Sequence, residues 1–338
     1  PVSRMVFIVP SRPEQRARSW SDSIHPTTMV AVQAMLLAAG LGTRLRPLTE
    51  IRPKPIVPLA NRPLASFAID HLARSGVDHI VANTHPLPDL VEKTLAASCP
   101  DGLSLVFSRE ATLLGTGGGL RRARPLFADP GGPVIVMNGD TLYAPVLQPA
   151  LEAHVKRGAM ATMVLRRTPD PERFGAIGID EHGRVTTLLG APEGRPVAES
   201  LMFTGVHILS PNAFDAMPEA GCIIRSAYRG WVDEGALVLG VVDDSPWADL
   251  GTVAEYHRLN LALASGDVTW PGVEPADGCI LAADAQAHAG VRRSVVGARA
   301  RIAPGVQLDQ CVVWPGTEVT ESVRKAVLTP QHRVALDG

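Results

Sequence analysis

Residues 37–44 read Leu37-Ala38-Ala39-Gly40-Leu41-Gly42-Thr43-Arg44, and a second short segment, Pro53-Lys54-Pro55, follows them closely. The first segment continues an apolar run from Val30, which is typical of a parallel strand that is covered on both faces. Small residues then open a loop whose backbone N–H groups can hold a polyphosphate at the strand end. Arg44 and Lys54 add two cations, and the prolines around them stiffen the chain. The two segments therefore predict a phosphate-binding loop.

The pattern of strands and helices beyond this loop decides the fold class. Strands are predicted over residues 32–37, 79–82, 103–107, 134–137 and 161–165, and helices over residues 64–72, 89–97, 147–157 and 252–265. Such alternation predicts an α/β, Rossmann-like domain with a mostly parallel mixed sheet. In sheets of this kind the ligand lies at the carboxyl ends of the strands. Because Gly40-Leu41-Gly42 and Asn138-Gly139-Asp140 both follow strands, we expect them to face one cleft.

The C-terminal part of the chain has a different repeat. Pairs of Val and Ile recur at a spacing of about five to six residues from Gly290 to Val319, with Gly at the corners, which is the signature of a hexapeptide β-helix. We expect a short left-handed β-helix of two or three coils that packs on the first domain or on another subunit. The predicted domains are thus residues 29–268 and 273–334. Residues 1–28 are rich in Arg, Ser and Pro and are predicted to be a disordered extension, with Met29 or Met35 as an alternative start.

Composition excludes several classes of partner. The chain has 338 residues, of which 46% are hydrophobic, and a formal net charge of −2. That charge argues against a nucleic-acid or anionic-membrane partner, which would favour a basic excess. The four cysteines show no CxxC pair or zinc spacing, which suits a reducing compartment. No apolar run reaches the roughly 18 residues of a membrane span. We therefore expect a cytoplasmic protein with neither nucleic-acid nor membrane partners.

The glycine loop alone allows more than one interpretation. It could be a simple tight turn, but Arg44 and Lys54 weigh against that reading. No Gly-Lys-Ser/Thr follows, so the loop is not that of a P-loop NTPase. A dinucleotide-binding fold would need a third glycine near Leu45 or Arg46 and an acid where Asn83 stands.

Two aspartates are candidates for binding a divalent cation. Asp140 ends an apolar strand after Asn138-Gly139, and Asp249 precedes the helix that is predicted from Thr252. One or two carboxylates, together with phosphate oxygens and water, are what Mg²⁺ prefers. Asp249 has an alternative role as the N-cap of the following helix.

As a set, these segments resemble the signature of the sugar-1-phosphate nucleotidylyltransferases, or NDP-sugar pyrophosphorylases. That signature is G-x-G-T-R, nine residues and then K, and it is matched by Gly40, Gly42, Thr43, Arg44 and Lys54. Further matches follow in family order, at Leu114-Gly115-Thr116-Gly117, Asn138-Gly139-Asp140, Phe203-Thr204-Gly205 and Trp247-Ala248-Asp249-Leu250-Gly251-Thr252. The resemblance covers roughly residues 32–265. The C-terminal repeat is similar to that of bacterial mannose-1-phosphate guanylyltransferases.

The resemblance implies an enzyme that transfers a nucleotidyl group from an NTP to a sugar 1-phosphate and releases pyrophosphate, with Mg²⁺ as cofactor. It implies Arg44 and Lys54 as catalytic residues and Asp140 and Asp249 as metal ligands. The implied nucleotide-binding residues are Ala39, Gly40, Gly42, Thr43, Arg44, Glu110, Gly115 and Thr116, and the implied sugar-binding residues are Asn138, Phe174, Gly175 and Thr204. It also implies a role in making cell-envelope polysaccharide and a homo-oligomer formed through the β-helix.

One segment departs from the family pattern and leaves the substrates open. Many members carry a Glu-Lys-Pro segment whose lysine contacts the sugar phosphate, whereas residues 186–192 here read Thr-Thr-Leu-Leu-Gly-Ala-Pro. Arg184, Arg195 or another cation could replace that lysine. A mannose-1-phosphate guanylyltransferase-like activity is the leading interpretation. The Thr-Gly-Gly-Gly run, however, resembles a branch with N-acetylmuramate-1-phosphate uridylyltransferases and heptose-1-phosphate guanylyltransferases.

A second class of function is a non-catalytic regulatory subunit that senses a nucleotide sugar. Such a protein would be expected to lose at least one of the four charged site residues. Arg44, Lys54, Asp140 and Asp249 are all present, so the sequence favours an active enzyme.

Overall fold

The computed structural model describes residues 32–287 and 290–336, which belong to one compact unit. The extension predicted over residues 1–28 lies outside them. The helices are α1 (Leu48–Ile51), α2 (Leu64–Arg74), α3 (Pro88–Ala96), α4 (Gly115–Ala123), α5 (Leu147–Arg157), α6 (Arg229–Asp233) and α7 (Val253–Ser265). In the described residues, no helix is both long enough and apolar enough to pass through a bilayer.

The strands fall into two sets, one before α7 and one after it. The first set is β1 (Val32–Leu37), β2 (Pro58–Leu59), β3 (Arg62–Pro63), β4 (Val77–Thr84), β5 (Ser104–Arg109), β6 (Val134–Asn138), β7 (Thr141–Tyr143), β8 (Ala161–Arg166), β9 (Ile177–Ile179), β10 (Val185–Leu188), β11 (Glu199–Leu209), β12 (Val238–Val242) and β13 (Trp247–Asp249). The second set is β14 (Ile280–Leu281), β15 (Val291–Arg292), β16 (Val295–Val296), β17 (Arg301–Ile302), β18 (Leu308–Val313), β19 (Glu318–Val319), β20 (Val323–Leu328) and β21 (Arg333–Ala335).

The main sheet has the strand order β5-β4-β1-β6-β11-β8-β12. Strand β11 runs antiparallel to β6 and β8, whereas the other neighbours in this order pair in parallel. Strands β9 and β10 extend the sheet beside the first residues of β11. This is a mostly parallel mixed sheet, so the predicted fold class is confirmed.

Strand β1 is apolar except at Gln33, because both of its faces are covered. Met35 packs in the core on one face of the sheet, with side chains of α4 and α6. Ala34 and Leu36 pack in the core on the other face, with side chains of α2, α3 and α5. Alternate residues of a strand point to opposite faces, so a centrally placed strand needs apolar residues on both sides. The buried Gln33 instead exchanges hydrogen bonds with the backbone of Asp129.

The strand register brings the polar strand ends to one edge of the sheet. Leu37 of β1 pairs with Asn138 of β6, and the Gly139 N–H donates to the Leu37 carbonyl at 2.9 Å. Immediately beyond, β7 pairs antiparallel with β13, with Thr141 opposite Asp249. This pairing lays Asp249 beside Asp140, although the two residues are far apart in the sequence.

After α7 the strands stack in parallel from one coil to the next. Val295 pairs with Ile280, Val312 with Val295, and Val327 with Val312, so equivalent residues lie fifteen or seventeen positions apart. A second side stacks Val291, Leu308 and Val323, and a third stacks Arg301 and Glu318. Three short sides per coil fit a short parallel β-helix, while its left-handed sense stays a prediction.

The β-helix packs on the sheet domain through α7. Val295, Val312, Trp314 and Val327 share an apolar cluster with Tyr256 and other α7 residues. The Trp314 Nε1–H donates to the Tyr256 hydroxyl at 2.9 Å, and that hydroxyl donates to the Pro58 carbonyl at 2.5 Å. The strands after α7 therefore pack on the first domain in this structure, and packing on another subunit stays a prediction.

Candidate active site

A cavity of about 370 Å³ lies at the carboxyl edge of β1, β4 and β6. Among the residues that line it are these predicted site residues: Ala39, Gly40, Gly42, Thr43, Arg44, Lys54, Glu110, Gly115, Thr116, Asn138 and Asp140. Asn83, Leu113 and Gly251 also line it, and the sequence analysis assigned them no site role. The cavity thus gathers residues from six separate segments of the chain, as expected for a ligand site at strand ends.

Lys54 joins the two predicted metal aspartates. Its Nζ lies 2.8 Å from Asp140 Oδ2 and 3.7 Å from Asp249 Oδ1. Arg44 Nη2 lies 3.6 Å from Asp249 Oδ2. The Lys54 side chain is only 6% exposed, whereas that of Arg44 is 69% exposed. A buried ammonium is therefore shared by two carboxylates, and an exposed guanidinium lies at the cavity beside Asp249.

The charges around Asp249 oppose one another. Burial raises the pKa of Asp249 above its ordinary range; the Lys54 ammonium and the Arg44 guanidinium lower it, and the Asp140 carboxylate raises it. Two carboxylates held close in a partly buried site favour additional positive charge nearby. Lys54 and Arg44 thus balance the two carboxylates in formal charge, while burial keeps the pKa of Asp249 raised.

The same two carboxylates fit a divalent cation bound together with a substrate. Both face Lys54 Nζ, so they converge on one point. Residues 32–287 and 290–336 contain no group of three or more His, Cys, Asp or Glu side chains that could hold a metal ion. A pair of carboxylates with phosphate oxygens and water is what Mg²⁺ commonly accepts, so the donor set suits that ion.

Gly42 allows the loop after β1 to approach Lys54. Its φ is +60°, and a Cβ added there would lie 2.9 Å from Lys54 Cβ and 2.9 Å from Thr49 Cγ2. The Gly42 carbonyl accepts hydrogen bonds from the Leu45 N–H at 2.9 Å and from the Thr49 hydroxyl at 3.0 Å. Glycine is thus required both by the left-handed backbone and by the closeness of Lys54.

Asp249 does not cap the helix that follows it. The N-cap of α7 is Thr252, whose hydroxyl accepts from the Glu255 N–H while the Glu255 carboxylate accepts from the Thr252 N–H. Between them, Gly251 passes so close to Arg44 and Asp249 that an added Cβ would lie 2.7 Å from each side chain. The capping alternative is therefore wrong, and the Asp249 carboxylate faces the two cations.

The glycine run that opens α4 packs against the segment formed by residues 218–223. The Gly117 N–H donates to the Gly221 carbonyl at 2.9 Å, and the Gly221 N–H donates to the Leu114 carbonyl at 2.7 Å. Thr116 lines the cavity, yet its hydroxyl accepts from the Ile223 N–H at 2.9 Å. Part of the glycine run is thus explained by close packing, with Gly115 and Thr116 left at the cavity wall.

Asn83 is a site residue that the sequence analysis did not identify. It lies near the end of β4, and its side chain bonds to Ala38 and to Glu110. Glu110 lines the cavity as predicted, with both carboxylate oxygens accepting hydrogen bonds from the protein. The signal in the sequence that could have identified Asn83 is its place as a polar residue directly after the apolar run Ile80-Val81-Ala82, near the carboxyl end of β4.

Only one of the four predicted sugar-binding residues lines the cavity. Asn138 lines the cavity, whereas Phe174, Gly175 and Thr204 are not among its lining residues. Thr204 is buried, and its hydroxyl donates to the Val164 carbonyl at 2.7 Å. Phe174 is 39% exposed and lies edge-on to Trp247, with 5.7 Å between ring centroids. Phe174 is thus connected to Asp249 through β13.

The cation beside the predicted sugar-binding residue Phe174 is neither of the two arginines that the sequence suggested. Arg184 donates to the carbonyls of Gly235 and Ala236, beyond the end of α6, and Arg195 lies in an exposed loop. The Arg173 guanidinium instead lies 5.4 Å from the centroid of the Phe174 ring. Arg173 is therefore a further cation beside the predicted sugar-binding aromatic.

Comparison with known proteins identifies the family. Residues 33–266 match the nucleotidyl transferase family. The chain is 30% identical over 295 residues to mannose-1-phosphate guanylyltransferase from Mycobacterium tuberculosis, covering 85% of this chain and 81% of the relative. It is 27% identical over 322 residues to UTP–glucose-1-phosphate uridylyltransferase from Synechocystis, covering 86% and 82%.

Two further similarities concern a shorter relative and a solved structure. N-acetylmuramate alpha-1-phosphate uridylyltransferase from Caulobacter vibrioides is 31% identical over 235 residues, covering 64% of this chain and 91% of the relative. The crystal structure of HddC from Yersinia pseudotuberculosis superposes with a TM-score of 0.58 at 22% identity, covering 68% of this chain and 98% of HddC. These matches confirm the fold and the resemblance to sugar-1-phosphate nucleotidylyltransferases, and the chain belongs to the nucleotidyl transferase family.

Proposed function

We propose that this enzyme transfers a nucleotidyl group from an NTP to a sugar 1-phosphate and releases pyrophosphate. The observation that carries the proposal is the buried Lys54 ammonium, shared by Asp140 and Asp249 at the edge of a glycine loop. A neighbouring exposed cation, Arg44, adds to it. This arrangement is suited to holding several phosphates close together, because their charges require fixed cations and backbone N–H groups.

In the proposed reaction a phosphate oxygen of the sugar 1-phosphate attacks the α-phosphorus of the NTP. The bond between the α-phosphorus and the bridging oxygen breaks, and that oxygen leaves with pyrophosphate. Because the attacking oxygen is already an anion, the step needs no general base. Catalysis is then a matter of alignment and charge neutralisation, which agrees with a site rich in cations and loop N–H groups.

The roles of the individual residues follow from their positions. Lys54, at the base of the cavity, would contact the α-phosphate and the incoming phosphate, and Arg44, at its mouth, would contact the β- and γ-phosphates. The loop at residues 39–43 would cradle phosphates through its backbone. Asp140 and Asp249 would hold Mg²⁺, which when bound would neutralise both carboxylates and the negative charge on the departing pyrophosphate.

The remaining predicted residues would contact the nucleoside and the sugar. Gly115 and Thr116 would flank the base, with Glu110 behind them in the cavity wall, and Asn138 would reach the sugar. Phe174 and Gly175, with Arg173 beside them, would border the sugar farther out, and the buried Thr204 would support that side. The lysine of the family's Glu-Lys-Pro segment would be replaced here by Arg173, which lies against Phe174.

For the substrates, we propose GTP and mannose 1-phosphate as the first pair. The similarity to the Mycobacterium tuberculosis enzyme, over most of both chains, supports that pair. A second candidate is UTP with N-acetylmuramate 1-phosphate, supported by the relative from Caulobacter vibrioides. Because NTPs are supplied in the cytoplasm, the reaction would take place there. The NDP-sugar product would be used to make cell-envelope polysaccharide. The enzyme would form a homo-oligomer through the β-helix.

The test is a pyrophosphate-release screen of the four common NTPs against a panel of sugar 1-phosphates, with and without Mg²⁺. We expect one pair to dominate, and chelation of Mg²⁺ to abolish the release. A matched control is the variant Asp140→Asn, which should fold and release little pyrophosphate. No release from the unaltered protein with any pair would overturn the proposal and favour the regulatory, nucleotide-sugar-sensing alternative.

A further inference from the structure

Asn83 and Glu110 lie on the cavity wall, but both side chains bond to the protein. They are 3% and 4% exposed. Asn83 stands near the end of β4, Glu110 follows β5, and these two strands pair in parallel. A buried polar atom that lacks a partner is costly, so this pair requires a complete set of hydrogen bonds.

The hydrogen bonds through the pair join two loops. The Ala38 N–H donates to Asn83 Oδ1 at 2.7 Å, and Asn83 Nδ2 donates to Glu110 Oε1 at 2.7 Å. The Leu114 N–H donates to Glu110 Oε2 at 2.9 Å. Ala38 begins the phosphate-binding loop and Leu114 precedes the cavity residue Gly115. The pair therefore ties the loop after β1 to the loop after β5.

Helix α4 is shaped to lie on this pair. A Cβ added at Gly119 would lie 2.8 Å from Glu110 Oε1 and 2.9 Å from Asn83 Nδ2. Any larger residue at this position would press on the bond between the two side chains. The last residue of the glycine run is thus explained by the Asn83–Glu110 bond, and not by a ligand.

We propose that Asn83 and Glu110 are positioning residues that set the affinity for the NTP by fixing the spacing of the two loops. This inference rests on the proposed function, in which one loop holds the phosphates and the other flanks the base. Neither residue needs to touch a reacting atom. Breaking the pair should raise KM for the NTP by about ten- to a hundred-fold and change KM for the sugar 1-phosphate little.

The direction of the hydrogen bonds supplies a sharp test. Asn83→Asp places a second carboxylate against that of Glu110. Glu110→Gln replaces one accepting oxygen by an NH₂ group, so either Asn83 Nδ2 or the Leu114 N–H faces a donor instead of an acceptor. In the double variant, the new carboxylate at position 83 accepts from the Ala38 N–H and from the new amide at position 110. The new amide oxygen then accepts from the Leu114 N–H, so every donor again has an acceptor and the net charge is restored.

We expect each single variant to show the raised KM for the NTP and the double variant to return to within about five-fold of the unaltered enzyme. Gly119→Ala should raise the same KM, because its methyl group presses on the pair. The matched control is Gly230→Ala, in helix α6, where an added Cβ meets nothing within 4 Å and kinetics should not change.

Two results would overturn the positioning role: a double variant no better than the singles, or an equal rise in both KM values. The same variants are also compared for binding of GTP and UTP with Mg²⁺ by calorimetry. If the unaltered protein binds an NTP but transfers nothing, the proposed function fails, and recovery of binding in the double variant still decides the positioning role. An unaltered protein that binds neither nucleotide overturns both.

Discussion

The nucleotide side and the sugar side of the site are built differently. On the nucleotide side, backbone N–H groups, close-packed glycines and the buried Lys54 are held by short hydrogen bonds. On the sugar side, Phe174 is partly exposed and the Thr204 hydroxyl is bonded within the sheet. Phosphates are common to all NTPs and require fixed charges. Sugars differ from one substrate to another, so the side chains that contact them can differ between members of the family. The difference shows why the reaction class was easier to infer than the sugar.

The largest effect should come from Lys54→Ala, which removes the cation at the centre of the nucleotide side. We expect kcat to fall by about a thousand-fold or more, because charge on the transferred phosphate is no longer neutralised. Asp140 and Asp249 would also face each other without their shared ammonium, so the melting temperature should drop. Steady-state kinetics and thermal unfolding measure the two effects.

The control for this variant is Lys93→Ala, which removes an exposed lysine of α3. It should leave both kcat and the melting temperature unchanged. Near-normal turnover of Lys54→Ala would contradict the role given to Lys54 and the contrast between the two sides.

A smaller loss should follow from Gly42→Ala. Its Cβ would strain the backbone at φ +60° and meet Lys54 Cβ at 2.9 Å, so we expect kcat/KM to fall by about ten- to a hundred-fold. The matched control is Gly158→Ala, where φ is +59° and nothing lies within 4 Å of an added Cβ. Both variants should lose about 1 kcal/mol of stability, measured by chemical denaturation. Equal activities in the two variants would show that displacement of Lys54 is unimportant.

A change on the sugar side should be weaker and more selective. Phe174→Ala removes the edge-on contact with Trp247, and an aromatic pair contributes about 0.5–1.5 kcal/mol. We expect KM for the sugar 1-phosphate to rise by up to about ten-fold, while KM for the NTP stays constant. Val155→Ala, at an exposed apolar position of α5, serves as the control. A rise in KM for the NTP alone would contradict the assignment of Phe174 to the sugar side.

The smallest effect concerns acid stability of the strands beneath the sugar side. Burial lowers the pKa of His154 from 6.5 to about 4, and its ring bonds to Thr162 and Ser210. Because the unfolded chain takes up a proton first, stability is full above about pH 6.5 and declines as the pH falls toward 4. His154→Gln should make the decline in melting temperature over that range less steep, and the exposed His182→Gln should not. Burial also lowers the pKa of His71 and His207, so part of the decline remains. If the melting temperature of His154→Gln falls with pH as steeply as that of the unaltered protein, His154 does not contribute to the loss of stability in acid.

The sequence predicted the features that local patterns carry. Strand β1 and the strand end before Asp140 are predicted correctly from neighbouring residues. Arg44 and Lys54 line the cavity at that edge, and their roles stay predictions. Helix α4 was not predicted, because glycine is a poor helix former and the run was read as a nucleotide-binding segment. Gly115, Gly117 and Gly118 are explained by close packing on residues 218–221, about a hundred positions away, and Gly119 by the Asn83–Glu110 bond. Neither contact leaves a local pattern in the sequence.

Two other features also depend on distant contacts. Asn83 acts through Glu110, and their bond spans 27 positions of sequence. The position of Asp249 depends on the antiparallel pairing of β7 with β13, so the sequence left open whether it capped α7. Long-range pairing of this kind decides side-chain roles that residue spacing cannot.

The bonds of Tyr256 carry a consequence for how such chains can evolve. Its hydroxyl links Trp314 in the β-helix to the Pro58 carbonyl, four residues after Lys54. The β-helix is therefore not an appendage that relatives could exchange freely, because a foreign one would have to offer the same donor to Tyr256 and fit the same face of α7. Relatives that carry a β-helix should therefore inherit it together with α7 and the Lys54 loop, even where the sugar side diverges.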